Sequence, residues 1–318
     1  MSAIFSTVIR IENNYGAAKM RIISEQIKSE KILLSDGAWG TFLQIEGLQL
    51  GECPEVWNIE KRDTVLKIAK SYIDAGSDMI GTNTFGGNKI KLNHYGFGSR
   101  SYELNRAGAE ISREAAGDKK LVIGSIGPSG KMLIMGDVTE EELYDSFADQ
   151  IKGLTDGGVD ALCIETFYDI KEAEIALRAA RENSDLEVIL TFSFDKNFDG
   201  SYKTMMGFSP KAIVEHFEKK VDFIGTNCSI GFEDMIGIVK EMREINSIIP
   251  ILVHANAGIP IVLGGEVKYP DTPKIMADLT PKLIEAGANL IGGCCGTTPE
   301  HISLINEAIN KFKTEIKF

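Results

Sequence analysis

Positive charge is scarce in this chain. Its 318 residues carry 34 Lys and Arg against 46 Asp and Glu, a formal net charge of −12, with a pI near 5.0. Nucleic-acid binding needs Lys and Arg clustered opposite phosphates, so nucleic acid is excluded as the main partner. Long apolar runs are missing too. None reaches the roughly 18 residues of a membrane-spanning helix, so no membrane association is expected. Residues 1–30 scatter their charges and lack the apolar core of a secretory signal. Cysteine is sparse and odd in number, five in all, which does not make a disulfide framework. It fits a reducing compartment in which thiols stay free, and the expected location is cytoplasmic. The Gly-Gly pairs at 86–87 and 264–265 have no GxGxxG or GxxxxGKS/T surroundings, so they are turn material and not phosphate loops. No linker rich in Pro, Ser or Gly divides the chain. One domain is expected over residues 26–318, preceded by an N-terminal extension, 1–25, within which Met20 offers an alternative start. Hydrophobic residues at 43% and charged residues at 25% place the whole among ordinary globular proteins.

What the chain does have is an internal echo. Ala75-Gly-Ser-Asp-Met-Ile-Gly-Thr-Asn-Thr84 resembles Gly157-Gly-Val-Asp-Ala-Leu-Cys-Ile-Glu-Thr166. Lys219-Lys-Val-Asp-Phe-Ile-Gly-Thr-Asn-Cys228 resembles Ala286-Gly-Ala-Asn-Leu-Ile-Gly-Gly-Cys-Cys295. Each reads as a helix end, an Asp or Asn turn residue, a short buried strand and a polar or thiol residue at its end. Four further strands are expected at roughly 32–35, 121–125, 188–192 and 251–254. Helical patterns fall at roughly 59–75, 102–116, 140–156, 171–183, 210–219, 232–245, 272–286 and 299–311. Eight strands alternating with eight helices predict an α/β fold of the (β/α)8 TIM-barrel type, with a doubly wound sheet as the competitor. In a barrel every strand's C-terminal end opens on one face. The Gly- and Met-rich stretch 127–136 is expected to form a loop over that mouth.

The strand ends carry the chemistry. Cys294-Cys295 sits in Gly-Gly-Cys-Cys-Gly-Thr-Thr-Pro, 292–299. Adjacent cysteines bridge each other poorly, whereas two thiolates between glycines can converge on one soft metal ion. Cys228 ends another strand. Three thiolates suit a zinc site with one open position; the competing reading makes Cys228 a buried core cysteine. Cys53 and Cys163 read as bystanders. Asp36 and Glu165 close strands at the same mouth, where a carboxylate can hold a substrate ammonium; the plainer reading of Asp36 is a turn residue before Gly37. Asn256 either contacts a metal or substrate or caps a turn. His254 reads as a satisfied core residue, and Trp39 and Phe85 as pocket walls or packing.

Several motifs resemble the homocysteine S-methyltransferase family: Gly225-Thr-Asn-Cys-Ser229, His254-Ala-Asn-Ala-Gly258 and Gly292-Gly-Cys-Cys-Gly-Thr-Thr-Pro-Glu-His301. Asp36-Gly-Ala-Trp-Gly-Thr41, Gly81-Thr-Asn-Thr-Phe85, Ile126-Gly-Pro128 and Glu165-Thr-Phe167 match in the same order. The likeness covers roughly residues 30–312 and is strongest to the homocysteine-binding module of cobalamin-dependent methionine synthase. It implies a (β/α)8 barrel and zinc on Cys228, Cys294 and Cys295, with the Asn256 amide oxygen as fourth ligand without substrate. It implies a homocysteine ammonium held by Asp36 and Glu165. The homocysteine carboxylate is held by backbone N–H groups and a hydroxyl of the Gly37, Ala38 and Thr41 loop. A zinc thiolate of homocysteine then takes a methyl group, giving methionine. The implied donor is methylcobalamin on a partner, a corrinoid protein or cobalamin module, because no such module follows within this chain. The chain is then a partner-dependent enzyme or a fragment of a larger one. The alternative is a small sulfonium donor such as S-methylmethionine.

Overall fold

The computed structural model describes residues 11–12, 18–19, 21–264 and 266–316. Eight parallel strands form one sheet: β1 Leu33–Leu34, β2 Met79–Gly81, β3 Leu121–Ile126, β4 Ala161–Phe167, β5 Glu187–Phe192, β6 Phe223–Asn227, β7 Ile251–Ala255 and β8 Leu290–Gly293. Their order runs β1-β8-β7-β6-β5-β4-β3-β2. The seam between β1 and β2 is closed by Asp78, which donates its N–H to the Leu34 carbonyl at 2.7 Å. This curled, closed sheet is the expected TIM barrel and rules out the doubly wound alternative.

The helices that follow the strands are α2 Arg62–Asp74, α3 Ser101–Ala116, α4 Glu140–Asp156, α5 Ile170–Asn183, α6 Pro210–Phe217, α7 Phe232–Ile245, α8 Pro273–Ala286 and α9 Pro299–Ile316. Each turns an apolar stripe to the sheet; Val65, Ile111, Phe147, Ile175, Ile238 and Ile305 are all buried. Starts follow from capping chemistry. Thr139 and Glu142 form a reciprocal capping box on α4, and Ser209 and Thr272 cap helices that begin with proline.

The echoed Asp/Asn positions do more than turn the chain. Asp78, Asp160, Asp222 and Asn289 each clasp one residue of the preceding strand from both sides. Each donates its own N–H to the carbonyl of Leu34, Val122, Val188 or Ile251. Each side-chain oxygen takes back that same residue's N–H, at 2.7 to 3.1 Å. A basic side chain backs every clasp: Lys120, Arg113, Arg181 and Arg243 in turn. Four copies of this device join the odd strands to the even ones at the end opposite the mouth.

Inside the barrel, Leu33, Met79, Leu121, Ile189, Phe223 and Leu252 pack together. Burial of each such side chain stabilises the fold by about 1.5–3 kcal/mol. An additional helix, α1 Ile22–Glu30, closes this end with Ile23 and Ile27. The buried Glu187 accepts the N–H groups of Ile23 and Ser24 at the start of α1. The division at residues 25 and 26 falls inside α1, while 1–10, 13–17 and 20 of the expected extension, Met20 among them, lie outside the described residues. At the mouth, the 127–136 loop contains a short turn, Leu133–Met135, and is anchored where Ser129 donates through its N–H and hydroxyl to Glu172. Two hairpins that the sequence pattern did not reveal also rise there, Asp195–Lys196 with Tyr202–Lys203, and Ile261–Leu263 with Glu266–Lys268.

Candidate active site

Cys228 lies just past β6 with φ 63, and Ser229 follows with φ 59. Two consecutive left-handed residues without glycine need support. The Cys228 N–H donates to the His254 carbonyl at 2.9 Å, and the Ile230 N–H returns to the Cys228 carbonyl at 2.7 Å. The same lacing reaches the other thiols. Cys294 donates its N–H to the Ala255 carbonyl, Ala257 donates to the Cys295 carbonyl, and the Thr297 hydroxyl donates to the Cys294 carbonyl. Backbone bonds thus hold three loops in one arrangement, and the three sulfur atoms lie within 4.8 Å of one another.

Cys228 Sγ and Cys295 Sγ are 4.0 Å apart. Tetrahedral zinc with arms of ~2.3 Å sets its sulfur ligands about 3.8 Å apart, so the trio fits such an ion. Cys295 is the thiol that ionises most readily. The neighbouring Cys228 and Cys294 thiols and the Tyr269 hydroxyl push it down. Cys294 is pushed up by its hydrogen bonds to Cys228 and Cys295 and by burial. The Asn256 side-chain oxygen is buried without a hydrogen-bond partner. Its backbone N–H is tied to Ile230 in the Cys228 loop. An orphaned amide oxygen is the donor type that a fourth coordination position takes.

Asp36 is buried and Glu165 half-buried, and neither has a cation beside it among the described residues. Asp36 accepts from the Gly81 N–H at 2.8 Å, the Trp39 indole at 2.9 Å and the Ser35 hydroxyl at 3.2 Å. Burial nonetheless raises it to about 6. Glu165 accepts from the Ser125 hydroxyl and, at 3.4 Å, from the Asn227 amide. Burial raises it to about 7. The turn after it is sharp, with Thr166 at φ 64, held by its N–H donating to Asn227 Oδ1 at 2.9 Å.

A cavity of about 390 Å³ joins these groups; Asp36, Gly37, Ala38, Glu165, Cys228, Cys294 and Cys295 all line it, with Trp39 and Phe85 among its walls. Thr41 and Asn256 stand outside the lining. The Thr41 hydroxyl oxygen accepts the Gly296 N–H at 3.2 Å, and the Ala38 N–H is engaged by the Thr297 hydroxyl at 3.0 Å. All five cysteines are free. Cys163 lies on the cavity wall away from the trio, and Cys53 donates to Glu55.

One reading needs correction. His254 is buried but not satisfied: its Nε2 has no partner, and the residue lines the cavity. A single polar residue in an apolar strand signals nothing about which way its ring finds a partner. Sequence reasoning also missed Tyr269, which follows a hairpin in an irregular segment and reaches Cys295 only in three dimensions, and Lys91, whose ammonium sits 4.7 Å over the Phe85 ring at the cavity edge.

Residues 33–309 match the family model described as homocysteine S-methyltransferase. The chain belongs to this family. Methionine synthase of Mycobacterium tuberculosis is 31% identical over 304 residues, covering 90% of this chain and 25% of that protein. Methionine synthase of Mycobacterium leprae is 30% identical over 298 residues, covering 88% and 24%. The chain therefore spans about a quarter of the length of these curated relatives. Among solved structures, the metallated homocysteine methyltransferase MmuM from Escherichia coli has a TM-score of 0.73 at 23% identity. That match covers 90% of this chain and 99% of the other, and shows that the barrel fold is shared.

Proposed function

We propose that this chain is a zinc-dependent methyltransferase that binds homocysteine, activates its sulfur and yields methionine, with methylcobalamin on a corrinoid partner as the methyl donor. The observation that carries the reading is one cavity lined by a three-thiol cluster and two carboxylates that no cation neutralises among the described residues. Cys228, Cys294 and Cys295 would hold the metal, with Asn256 Oδ1 as the oxygen ligand that substrate replaces. When bound, zinc supplies a Lewis acid that keeps a coordinated thiol deprotonated at neutral pH. Asp36 and Glu165 ionise as the substrate ammonium arrives, which offsets their burial. Gly37 and Ala38 line the cavity and would take the carboxylate end, whereas Thr41, outside the lining, would have to turn toward it. A new sulfur–carbon bond forms as the donor–methyl bond breaks, and the electron pair of that bond stays with the donor. Exposed apolar side chains ring the mouth, among them Leu50, Ile134, Met135, Phe198 and Val262. They support a macromolecular donor over a free small one.

Metal content measured by mass spectrometry, with homocysteine titration of a cobalt-substituted sample, tests this. One metal per chain and a new sulfur-to-cobalt charge-transfer band on adding homocysteine are expected. Absence of metal in protein purified under reducing conditions would sink the reading. Turnover with S-methylmethionine alone, and none with a methylated corrinoid protein, would replace the donor.

A further inference from the structure

The cavity is larger than homocysteine needs. Its volume of about 390 Å³ lies in the range that holds a drug-sized ligand, more than one small amino acid fills. Asp36, Glu165 and the three thiols account for one part of it. The rest is walled by Pro54, Glu55, Phe85, Lys91 and Tyr95. Phe85 and Tyr95 are 37% and 38% exposed and Lys91 is half-buried, so this part is the open one, the route available to a methyl donor.

Charge singles out one residue there. The lining carries the carboxylates of Asp36, Glu55 and Glu165 and four thiols, and among the described residues Lys91 is its only Lys or Arg. Lys91 lies on the short helix Lys89–Asn93, where its backbone N–H donates to Asn88 Oδ1 at 2.9 Å. Its neighbour Leu92 is buried with Cys53, Val56 and Leu104. That anchors the backbone, and the ammonium comes to rest 4.7 Å from the centre of the Phe85 ring. It makes no hydrogen bond and no ion pair among the described residues. Glu55 and Glu172 attract it, but their oxygens are committed elsewhere. Glu55 accepts the Gly86 N–H at 2.6 Å and the Cys53 thiol, and Glu172 accepts the N–H and hydroxyl of Ser129. An ammonium has three N–H donors, and shielding them from water without supplying acceptors is costly. In a cavity otherwise lined by acids and thiols, this is the one place where an anionic oxygen is attracted and not repelled.

We propose that Lys91, at the open end of the cavity beside Phe85 and Tyr95, forms a donor subsite whose ammonium pairs with an anionic oxygen group, a carboxylate or a phosphate, carried by the methyl donor. It rests on the methyl-transfer reading and deepens it. Homocysteine is held at one end through its ammonium and sulfur, and the donor is held at the other through a negative charge. Lys91 is then a specificity residue for the donor and has no part in holding zinc or homocysteine.

The test is kcat/KM of zinc-loaded wild type, Lys91→Met and Lys91→Arg, with homocysteine and two matched pairs of donors. S-methylmethionine and its carboxamide differ in the carboxylate. Methylcobalamin and methylcobinamide differ in the nucleotide tail with its phosphodiester. Wild type is expected to favour the anionic member of at least one pair, and Lys91→Met to cut that preference about three- to tenfold, the worth of a charged hydrogen bond at a half-buried site. Lys91→Arg is expected to keep most of it. A loss in the sulfonium pair identifies the group as a carboxylate, and a loss in the corrinoid pair as a phosphate. Preferences that Lys91→Met leaves unchanged in both pairs overturn the proposal, as does a wild type that favours neither anionic donor. Homocysteine affinity, read by calorimetry, separates this from the reading beneath it. A wild type that binds homocysteine and turns over none of the four donors overturns the subsite alone; one that binds no homocysteine overturns methyl transfer itself. If Lys91→Met loses zinc or homocysteine, Lys91→Arg decides: full zinc with the donor preference gone is a result against the proposal.

Discussion

Ser125 donates its hydroxyl to the Glu165 carboxylate across the β3–β4 pair, and no basic side chain backs that carboxylate among the described residues. An acid shielded from water and held by neutral donors is easily protonated, and Glu165 rises from 4.5 to about 7 while Asp36 rises from 3.8 to about 6. Between the unfolded and folded values the native chain holds a proton that the unfolded chain has released. Stability contributed by these groups is therefore present at low pH and lost as pH rises through the folded value. Glu165→Gln keeps the Ser125 contact and removes the ionisation. The variant is expected to gain melting temperature over the metal-free wild type as pH goes from 5 to 8, by a few degrees. A difference that stays constant across this range would contradict the burial argument.

Binding should split the site residues into two classes. Cys228→Ser, Cys294→Ser and Cys295→Ser each remove a soft ligand, so each is expected to lower zinc affinity at least about tenfold and abolish methyl transfer. Glu165→Gln is expected to keep zinc and weaken homocysteine binding by about tenfold to a hundredfold, the range for a hydrogen bond to a charged group. Chelator competition measures the first effect and calorimetry the second. Full zinc content in all three serine variants would defeat the ligand assignment.

The barrel was legible because its strands repeat a pattern: a turn residue, a short apolar run and a polar end. The meeting of Cys228 with Cys294-Cys295 was legible for the same reason, since all strand ends of a barrel share one face. What the pattern concealed are contacts made between elements. Nothing in Gly-Ala-Asp-type spacing tells that Asp222 reaches back to Val188. His254 and Tyr269 show the limit best. One reads as core because its neighbours are apolar, and the other as loop because nothing around it is periodic, yet both project toward the site.

The clasp at Asp222 carries a stability prediction. Its side chain is 6% exposed and accepts from the Val188 N–H at 2.9 Å and from Arg181 at 2.9 Å. Asp222→Ala leaves a strand N–H and a guanidinium without this partner and is expected to cost about 2–3 kcal/mol in denaturant unfolding. Asp222→Asn should cost well under half of that, because the equivalent position in β8 is natively Asn289 and performs the same double contact. Equal losses in the two variants would show that charge, and not the clasp, is what matters.

Gly292 is where the barrel, the acid and the imidazole meet most tightly. A methyl group there would stand 2.6 Å from the Asp36 carbonyl oxygen and 2.9 Å from both Ser35 Cβ and His254 Cδ2. The histidine ring can rotate away, but the Asp36 carbonyl cannot, because it accepts the Gly293 N–H at 2.8 Å. Relief therefore requires β8 to move from β1, and Cys294 and Cys295 follow directly on β8. Gly292→Ala is expected to cost about 1–3 kcal/mol of stability, as overpacking of a filled site does, and to weaken zinc binding together with homocysteine binding. Gly40→Ala serves as the control, since a β-carbon at that position meets nothing within 4 Å. If Gly292→Ala behaves like Gly40→Ala in melting temperature and metal affinity, then β8 yields without disturbing the thiols, and the tight packing that aligns the two ends of the site is not what holds them in place.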